Sequence, residues 1–234
     1  YASSDGLVGY WRNDGDTTWT DRSTNSNDGT VAGSPASIVL TEGITSGRDS
    51  QGFYLKDTTE NCLTLNGAEY VEVPDSEVFD FGQSNFSIEY WINTSESTDV
   101  KIINQWNYSG TTTVWASSSF ESRIKTNKMY ARVSNGSSGV DVTSTTSIND
   151  GNWHHIVFLR DGDTLRLYID SSQEDTGDTT GITIPNTTRP LWIGKDVSSG
   201  NIFFNGLIDD VRIYSKALSS DEVTKNYNAG KSKH

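Results

Sequence analysis

The sequence predicts an all-β protein, built as a sandwich or a barrel. The hydrophobic fraction is only 33%, although the chain contains seven Trp, ten Tyr and eight Phe; this is typical of strands that bury one face and leave the other in water. The segment FSIEYWIN (86–93) alternates with a period of two, as a strand does. Short β-rich segments recur about every 8 to 15 residues between Gly, Asn, Ser and Asp clusters, as in sandwiches and barrels.

In chain order, the predicted strands begin with GLVGYW, CLTLNG, EYVEVP, FSIEYWIN, VKIINQW and KMYARVS. The segments WHHIVFLR and TLRLYID flank the turn dipeptide Asp161-Gly162 and predict a β-hairpin. RPLWIG and VRIY complete the set. We interpret the Ser/Thr/Gly-rich stretches 109–119, 134–147 and 171–183 as loops.

One short helix is predicted near the end of the chain, as an appendage to the β fold. Ser219 to Glu222 have the form of a capping box, Leu218 and Val223 stand where a hydrophobic staple would lie, and Gly230 is suited to end the helix. Composition does not shift along the chain and no repeat or proline-rich linker is found. A single domain over residues 1–234 is therefore expected.

Charge and composition exclude several functions. The net charge of −13 repels phosphate backbones and anionic membrane surfaces, so no nucleic-acid partner is expected. No run of 18 apolar residues is present, which predicts no membrane insertion. The chain starts at Tyr1 without Met or a signal-like segment, and we expect a piece of a larger protein. Cys62 is the only cysteine and excludes an internal disulfide.

Four stretches, in order, resemble the laminin G-like, or concanavalin A-like lectin/glucanase, jelly-roll family. They are GLVGYWRNDG with DRSTNSNDGT, YVEVPDSEVFDFGQSNFSIEYWIN, DGNWHHIVFLRDGDTLRLYID, and NGLIDDVRIYSKALSSDEV. The resemblance implies a sandwich of two antiparallel sheets whose first and last strands pair, which brings DRSTNSNDGT close to NGLIDDVRIY. The segment 35–61 is longer than is usual for the family, and its path is left open.

The resemblance also implies a structural calcium ion between the early Asp-rich loop and the closing strand, with Asp21, Asn27 and Asp209 as ligands. A loop dense in Asp, Asn and Ser offers the oxygen atoms that calcium prefers, and Asn25 and Asp28 are further candidates. The alternative is that these residues hydrogen-bond their own backbone in turns.

Asp209 and Asp210 are adjacent in a predicted strand and should point to opposite faces, which rules out an acid/base pair. We expect Asp210 at the surface, paired with Arg212 on the same face. The Glu-x-Asp-x-(x)-Glu motif of the glucanase branch is absent from the sequence, which favours a protein without catalytic activity.

Sugar binding requires aromatic rings in solvent beside amide and carboxylate groups. The stretch NQWNYSGTTTVW offers such a set, and Trp91 is a second candidate, as are Arg123 and Tyr130 if the concave sheet carries the site. The alternative is that these rings belong to the core. The candidates within the stretch are Asn104, Gln105, Trp106, Tyr108 and Trp115.

The sequence as a whole predicts a non-catalytic carbohydrate-binding or adhesion module with structural calcium. Its expected partner is a glycan or polysaccharide, and its expected location is extracellular, at a cell surface or at a virion surface. One alternative is a phage or virus structural protein, a capsid decoration or tail appendage that contacts other subunits of the assembly. A second alternative is a polysaccharide-degrading enzyme.

Overall fold

The computed structural model of the chain describes residues 4–12, 18–33, 63–105, 118–196 and 202–234. The segment 35–61 lies outside them. The strands in chain order are β1 (Leu7–Trp11), β2 (Thr18–Trp19), β3 (Gly29–Ala32), β4 (Leu63–Asn66), β5 (Tyr70–Val73), β6 (Phe86–Asn93), β7 (Val100–Asn104), β8 (Ser118–Lys125), β9 (Lys128–Asn135), β10 (Gly139–Ser147), β11 (Trp153–Asp161), β12 (Thr164–Ile169), β13 (Ser172–Asp178), β14 (Leu191–Ile193), β15 (Lys195–Asp196), β16 (Ile202–Phe203) and β17 (Asn205–Tyr214). A 3₁₀ helix (Glu77–Phe79) follows β5, and helix α1 (Ser220–Lys231) follows β17.

Within the described residues, the strands form two large antiparallel sheets. The seven-stranded sheet has the order β1-β17-β6-β11-β12-β13, with β4 also paired to β17. The eight-stranded sheet has the order β10-β9-β8-β7-β14-β5-β3-β2. The first strand and the last pair with each other, with Trp11 opposite Val211. The predicted two-sheet sandwich closed by its first and last strands is therefore confirmed.

The core fills the space between the two sheets. Phe86 of β6 stacks on Phe81 with ring centroids 4.3 Å apart, and meets Phe158 of β11 edge-on at 6.1 Å. The hydroxyl of Tyr90 on β6 donates to the hydroxyl oxygen of Ser122 on β8 at 2.9 Å, which ties one sheet to the other. Buried apolar groups of this kind supply most of the driving force for folding.

Helix α1 confirms the predicted short helix near the end of the chain and packs on the outside of the sandwich. The predicted capping box is present, because the Ser219 side chain accepts from the Glu222 backbone and the Glu222 carboxylate accepts from Ser219. The helix packs on the outer face of the seven-stranded sheet, where Leu218 and Val223 join a second apolar cluster. Gly230 lies inside the last turn of α1, and an added Cβ would come within 2.4 Å of the Trp91 indole nitrogen. Close contact with Trp91 explains this glycine better than helix termination.

Two stretches predicted as loops are edge strands. Residues 139–147 form β10, at one end of the eight-stranded sheet, and 172–178 form β13, at one end of the seven-stranded sheet. The carboxylate of Glu174 on β13 accepts from the backbone and hydroxyl groups of Thr145 and Thr146 on β10. Polar side chains therefore join the two sheets at this edge. Because these strands are mostly polar, apolar alternation did not predict them. Of the third stretch, 109–117 lies outside the described residues.

Strand β17 contains a bulge that overturns the predicted separation of its two carboxylates. The pairing register between β17 and β6 shifts between Asp209 and Arg212, and Asp210 has a φ of 51°. A bulge inserts one extra residue and breaks the alternation of faces. Ile208 and Val211 point into the core, and both aspartates lie on the opposite face.

Candidate functional site

Of the predicted sugar-binding residues, Asn104, Gln105 and Trp91 lie in the described part of the chain, and all three are buried. Trp106, Tyr108 and Trp115 lie outside the described residues. Asn104 is buried and donates to the Lys195 carbonyl at 2.7 Å. Gln105 is buried and donates to the Asp75 carboxylate at 2.9 Å and to the Arg189 carbonyl at 3.0 Å.

Trp91 belongs to the outer face of the seven-stranded sheet and lies beneath α1. It is 2% exposed and stacks on Tyr227 at 5.7 Å and on His234 at 4.6 Å between ring centroids. The Trp91 ring is therefore covered by other residues and does not contact solvent.

A group of mostly polar residues lies on the face of the eight-stranded sheet that points away from the core. We call it the polar face. One cross-strand row runs Trp192, Asn104, Glu121, Arg132, Asp141, and the next runs Lys101, Arg123, Tyr130, Thr143. The rows follow from strand alternation, since Phe120, Ile124, Met129 and Val133 take the opposite positions and point into the core.

The inner part of the polar face is a buried ion cluster. The Lys101 ammonium lies 3.1 Å from the Glu121 carboxylate and 3.2 Å from that of Asp196, and all three side chains are under 8% exposed. Burial raises the pKa of Glu121, while the charges of Lys101 and Arg123 oppose that rise. Asp196 belongs to the β15-β16 hairpin, and its contact with Lys101 holds this hairpin against the polar face.

The outer part of the polar face is half-exposed and carries both donors and acceptors. The Arg123 guanidinium lies over the Tyr130 ring, 4.3 Å from its centroid. Arg132 donates to the Asp141 carboxylate at 2.6 Å. At the side of the face, the partly exposed rings of Tyr70 and Phe203 stack at 5.8 Å. Such a surface suits a ligand that has hydroxyl groups and apolar C–H faces.

Sequence inspection named Asn104, Arg123 and Tyr130 but missed Lys101, Glu121 and Asp196. A signal was available for Glu121, because it shares strand parity with Arg123 in SFESRIK. Asp196 could not be found in this way, since its contact with Lys101 joins segments almost a hundred positions apart.

The predicted calcium loop is held by hydrogen bonds of its own. The Asp21 carboxylate accepts from the backbone of Tyr10, Ser23 and Asn27 and from the Ser23 hydroxyl, at 2.8–2.9 Å. The Asp28 carboxylate accepts from the Asp21 backbone at 2.8 Å. These contacts are those of turn-forming residues. They engage both oxygens of Asp21 with donors, which does not favour a cation at that carboxylate.

Asp209 has a separate environment under the end of α1. It is 1% exposed, and its Oδ2 atom lies 3.2 Å from the His234 imidazole. Burial raises the pKa of Asp209. Across the part of the chain that the structure describes, no group of three or more His, Cys, Asp and Glu side chains is arranged to hold a metal ion. Calcium binding through Asp21, Asn27 and Asp209 stays a prediction.

Asp210 and Arg212 are buried, and their predicted surface location is wrong. The Arg212 guanidinium lies 2.9 Å from Asp210 and 3.1 Å from Glu89, with Asp210 1% and Arg212 8% exposed. The Tyr10 hydroxyl donates to Asp210 at 2.8 Å. The bulge turns Asp210 toward this face, where it contacts Tyr10 and Arg212.

Two antiparallel sheets closed by the two terminal strands define a concanavalin A-like jelly-roll sandwich. A family model described as the concanavalin A-like lectin/glucanases superfamily, Laminin_G_3, matches residues 65–224. The chain belongs to this family. Adhesion G-protein coupled receptor V1 of Danio rerio is 24% identical over 155 residues, which is 62% of this chain and 2% of the receptor.

Similar solved structures are binding domains of toxins. The binding domain of Paraclostridial Mosquitocidal Protein 1 has a TM-score of 0.67 at 18% identity. The binding domain of botulinum neurotoxin DC, in complex with rat synaptotagmin II, has a TM-score of 0.70 at 18% identity. Each of these two alignments includes 97% of this chain and 52% of the toxin chain. A structure for botulinum neurotoxin type C, whose uptake into cells depends on two ganglioside molecules, has a TM-score of 0.67 at 16% identity and is covered to 51%.

The chain spans about half the length of these structures and a small part of the receptor. At this identity, the likeness to the toxins shows the shared fold. Among the described residues, no helix is long and apolar enough to cross a membrane.

Proposed function

We propose that the chain is a non-catalytic carbohydrate-binding or adhesion module that works outside the cell or at a cell surface. The observation that carries the proposal is the polar face, where guanidinium, carboxylate and phenol groups lie together on a rigid sheet. Sugar hydroxyls both donate and accept, so a mixed set of this kind matches them. The Danio rerio adhesion receptor and the ganglioside-dependent toxin support the same class.

The state of the carboxylates supports binding over catalysis. Glu121 and Asp196 both contact the Lys101 ammonium, and Glu121 is 1% exposed. A general acid or base must reach the bond that is broken, and a carboxylate held under the surface by an ion pair does not. Release of reducing ends or unsaturated products from a polysaccharide panel would contradict a binding role.

The direct test is a glycan array probed with the purified chain. We expect at least one glycan to bind, and we expect Trp106→Ala to abolish that binding, because aromatic rings stack on sugar faces. Trp153→Ala is the matched control, since Trp153 is half-buried on the seven-stranded sheet against His234. Absence of binding to every glycan would overturn the proposal.

Structural calcium is proposed on the sequence and the family resemblance alone. We expect a chelator to lower the melting temperature, and Asp209→Ala to remove that sensitivity, because a carboxylate ligand supplies charge to the ion. His234→Ala is the control: it removes the observed partner of Asp209 but keeps the carboxylate. An unchanged melt in chelator would rule out the ion.

A further inference from the structure

The β8-β9 hairpin carries a run of basic residues in an acidic protein. The net charge is −13, yet the nineteen residues from Ser122 to Val140 contain four Lys or Arg and no Asp or Glu. This stretch forms most of the β8-β9 hairpin, in which Arg123 pairs with Tyr130 and Lys125 with Lys128. The four basic residues are Arg123, Lys125, Lys128 and Arg132.

Two of these cations gather around one aromatic ring. Arg123 lies 4.3 Å and the Lys125 ammonium 5.3 Å from the centroid of Tyr130. Cation-π contacts stabilise this arrangement. They also restrict the side chains before any ligand arrives, which lowers the entropy cost of binding.

The same two cations keep donors available. In the part of the chain that the structure describes, Arg123 donates no hydrogen bond and its side chain is 19% exposed; its Nε atom is buried, 3.6 Å from Glu121 and 3.7 Å from Asp99. Lys125 is exposed and makes no ion pair there. The other two are engaged, since Arg132 binds Asp141 at 2.6 Å and Lys128 binds the Thr145 carbonyl.

We propose that Arg123 and Lys125 bind the carboxylate of an acidic sugar residue. This inference rests on the proposed glycan-binding function and specifies its ligand. A guanidinium presents paired N–H donors that match a carboxylate, and the lysine adds a second charge. The overall charge of −13 repels large polyanions, so the match is to a single carboxylate on a glycan.

The test compares three forms of one oligosaccharide by titration calorimetry: with a free carboxylate on its terminal sugar, with that carboxylate reduced to an alcohol, and with a sulfate in its place. We expect reduction to weaken binding by about tenfold to a hundredfold, as for loss of a charged hydrogen bond. The sulfated form should bind less tightly than the carboxylated form.

We expect weaker binding of the acidic form, and unchanged binding of the reduced form, for both Arg123→Gln and Lys125→Gln. The Arg123→Lys variant should bind the acidic form with intermediate affinity. Lys125 is exposed, so its variant reports on binding even where Arg123→Gln fails to fold. Arg166→Gln on β12 is the matched control, because Arg166 is partly exposed on the other sheet and pairs with Asp161 at 3.2 Å.

Equal binding of the acidic and reduced forms, or unchanged binding by folded Lys125→Gln, would overturn this inference and leave the proposed function intact. Tighter binding of the sulfated form would overturn the carboxylate assignment. If no glycan of any kind binds, both proposals fail.

Discussion

Glu89→Ala is expected to lower the free energy of unfolding by about 3–5 kcal/mol, because it removes one of the two carboxylates that pair with the buried Arg212 and leaves the buried Tyr214 and Asn226 donors without their acceptor. Glu89 is fully buried on β6 and accepts from Arg212, Tyr214 and Asn226 at 3.0–3.1 Å. Asn226 belongs to α1, so the same change loosens the helix. Urea denaturation measures the loss, and limited proteolysis reports release of α1.

The control is Glu77→Gln at an exposed position of the 3₁₀ helix, for which a change within about 0.5 kcal/mol is expected. An equally small change for Glu89→Ala would show that the cluster under α1 contributes little.

The contribution of Glu89 depends on pH in a defined direction. Burial by itself raises the pKa of Glu89. The neighbouring His155 and the positive charge of Arg212 together outweigh this effect, and they lower the pKa of Glu89 from its ordinary 4.5 to about 2. The stabilisation is therefore present above pH 4.5 and is lost as the pH falls toward 2. We expect the stability difference between the native chain and Glu89→Ala to shrink over that window.

Lys101→Met is expected to lower the free energy of unfolding by a similar amount, about 3–5 kcal/mol, because two buried carboxylates lose the ammonium that lies 3.1–3.2 Å from them. Lys101 is 2%, Glu121 1% and Asp196 5% exposed. Burial already raises the pKa of Glu121, and removal of the ammonium should raise it more. A protonated Glu121 carries no charge, so the deficit should decrease as the pH falls through that raised pKa. Urea denaturation at neutral and mildly acidic pH measures this.

A double-mutant cycle with Glu121→Gln separates the ion pair from the packing of the lysine stem. We expect the double variant to recover part of the loss, with a coupling energy of about 0.5–3 kcal/mol. Lys225→Met, exposed on α1, is the control. Simple additivity of the two changes would mean that the Lys101 and Glu121 charges do not interact.

Local sequence patterns identified many of the strands and the start of the helix. The alternation in FSIEYWIN, the hairpin around Gly162 and the capping box at Ser219 depend on residues only a few positions apart. The two edge strands, β10 and β13, were not predicted, because most of their residues are polar. They form through pairing with neighbouring strands and through contacts such as that of Glu174 with Thr145. Strand preference of this kind comes from the neighbours.

The sequence by itself determined an acidic all-β sandwich with a capped terminal helix, because period, turn and capping signals act over short distances. Tertiary structure alone decided what the charged residues do. The bulge at Asp210 placed both aspartates on one face. Helix α1 placed Asn226 against Glu89, which also binds Arg212. The β15-β16 pair placed Asp196 beside Lys101. Each outcome depends on contacts between distant segments, and burial then makes those charges strong determinants of stability.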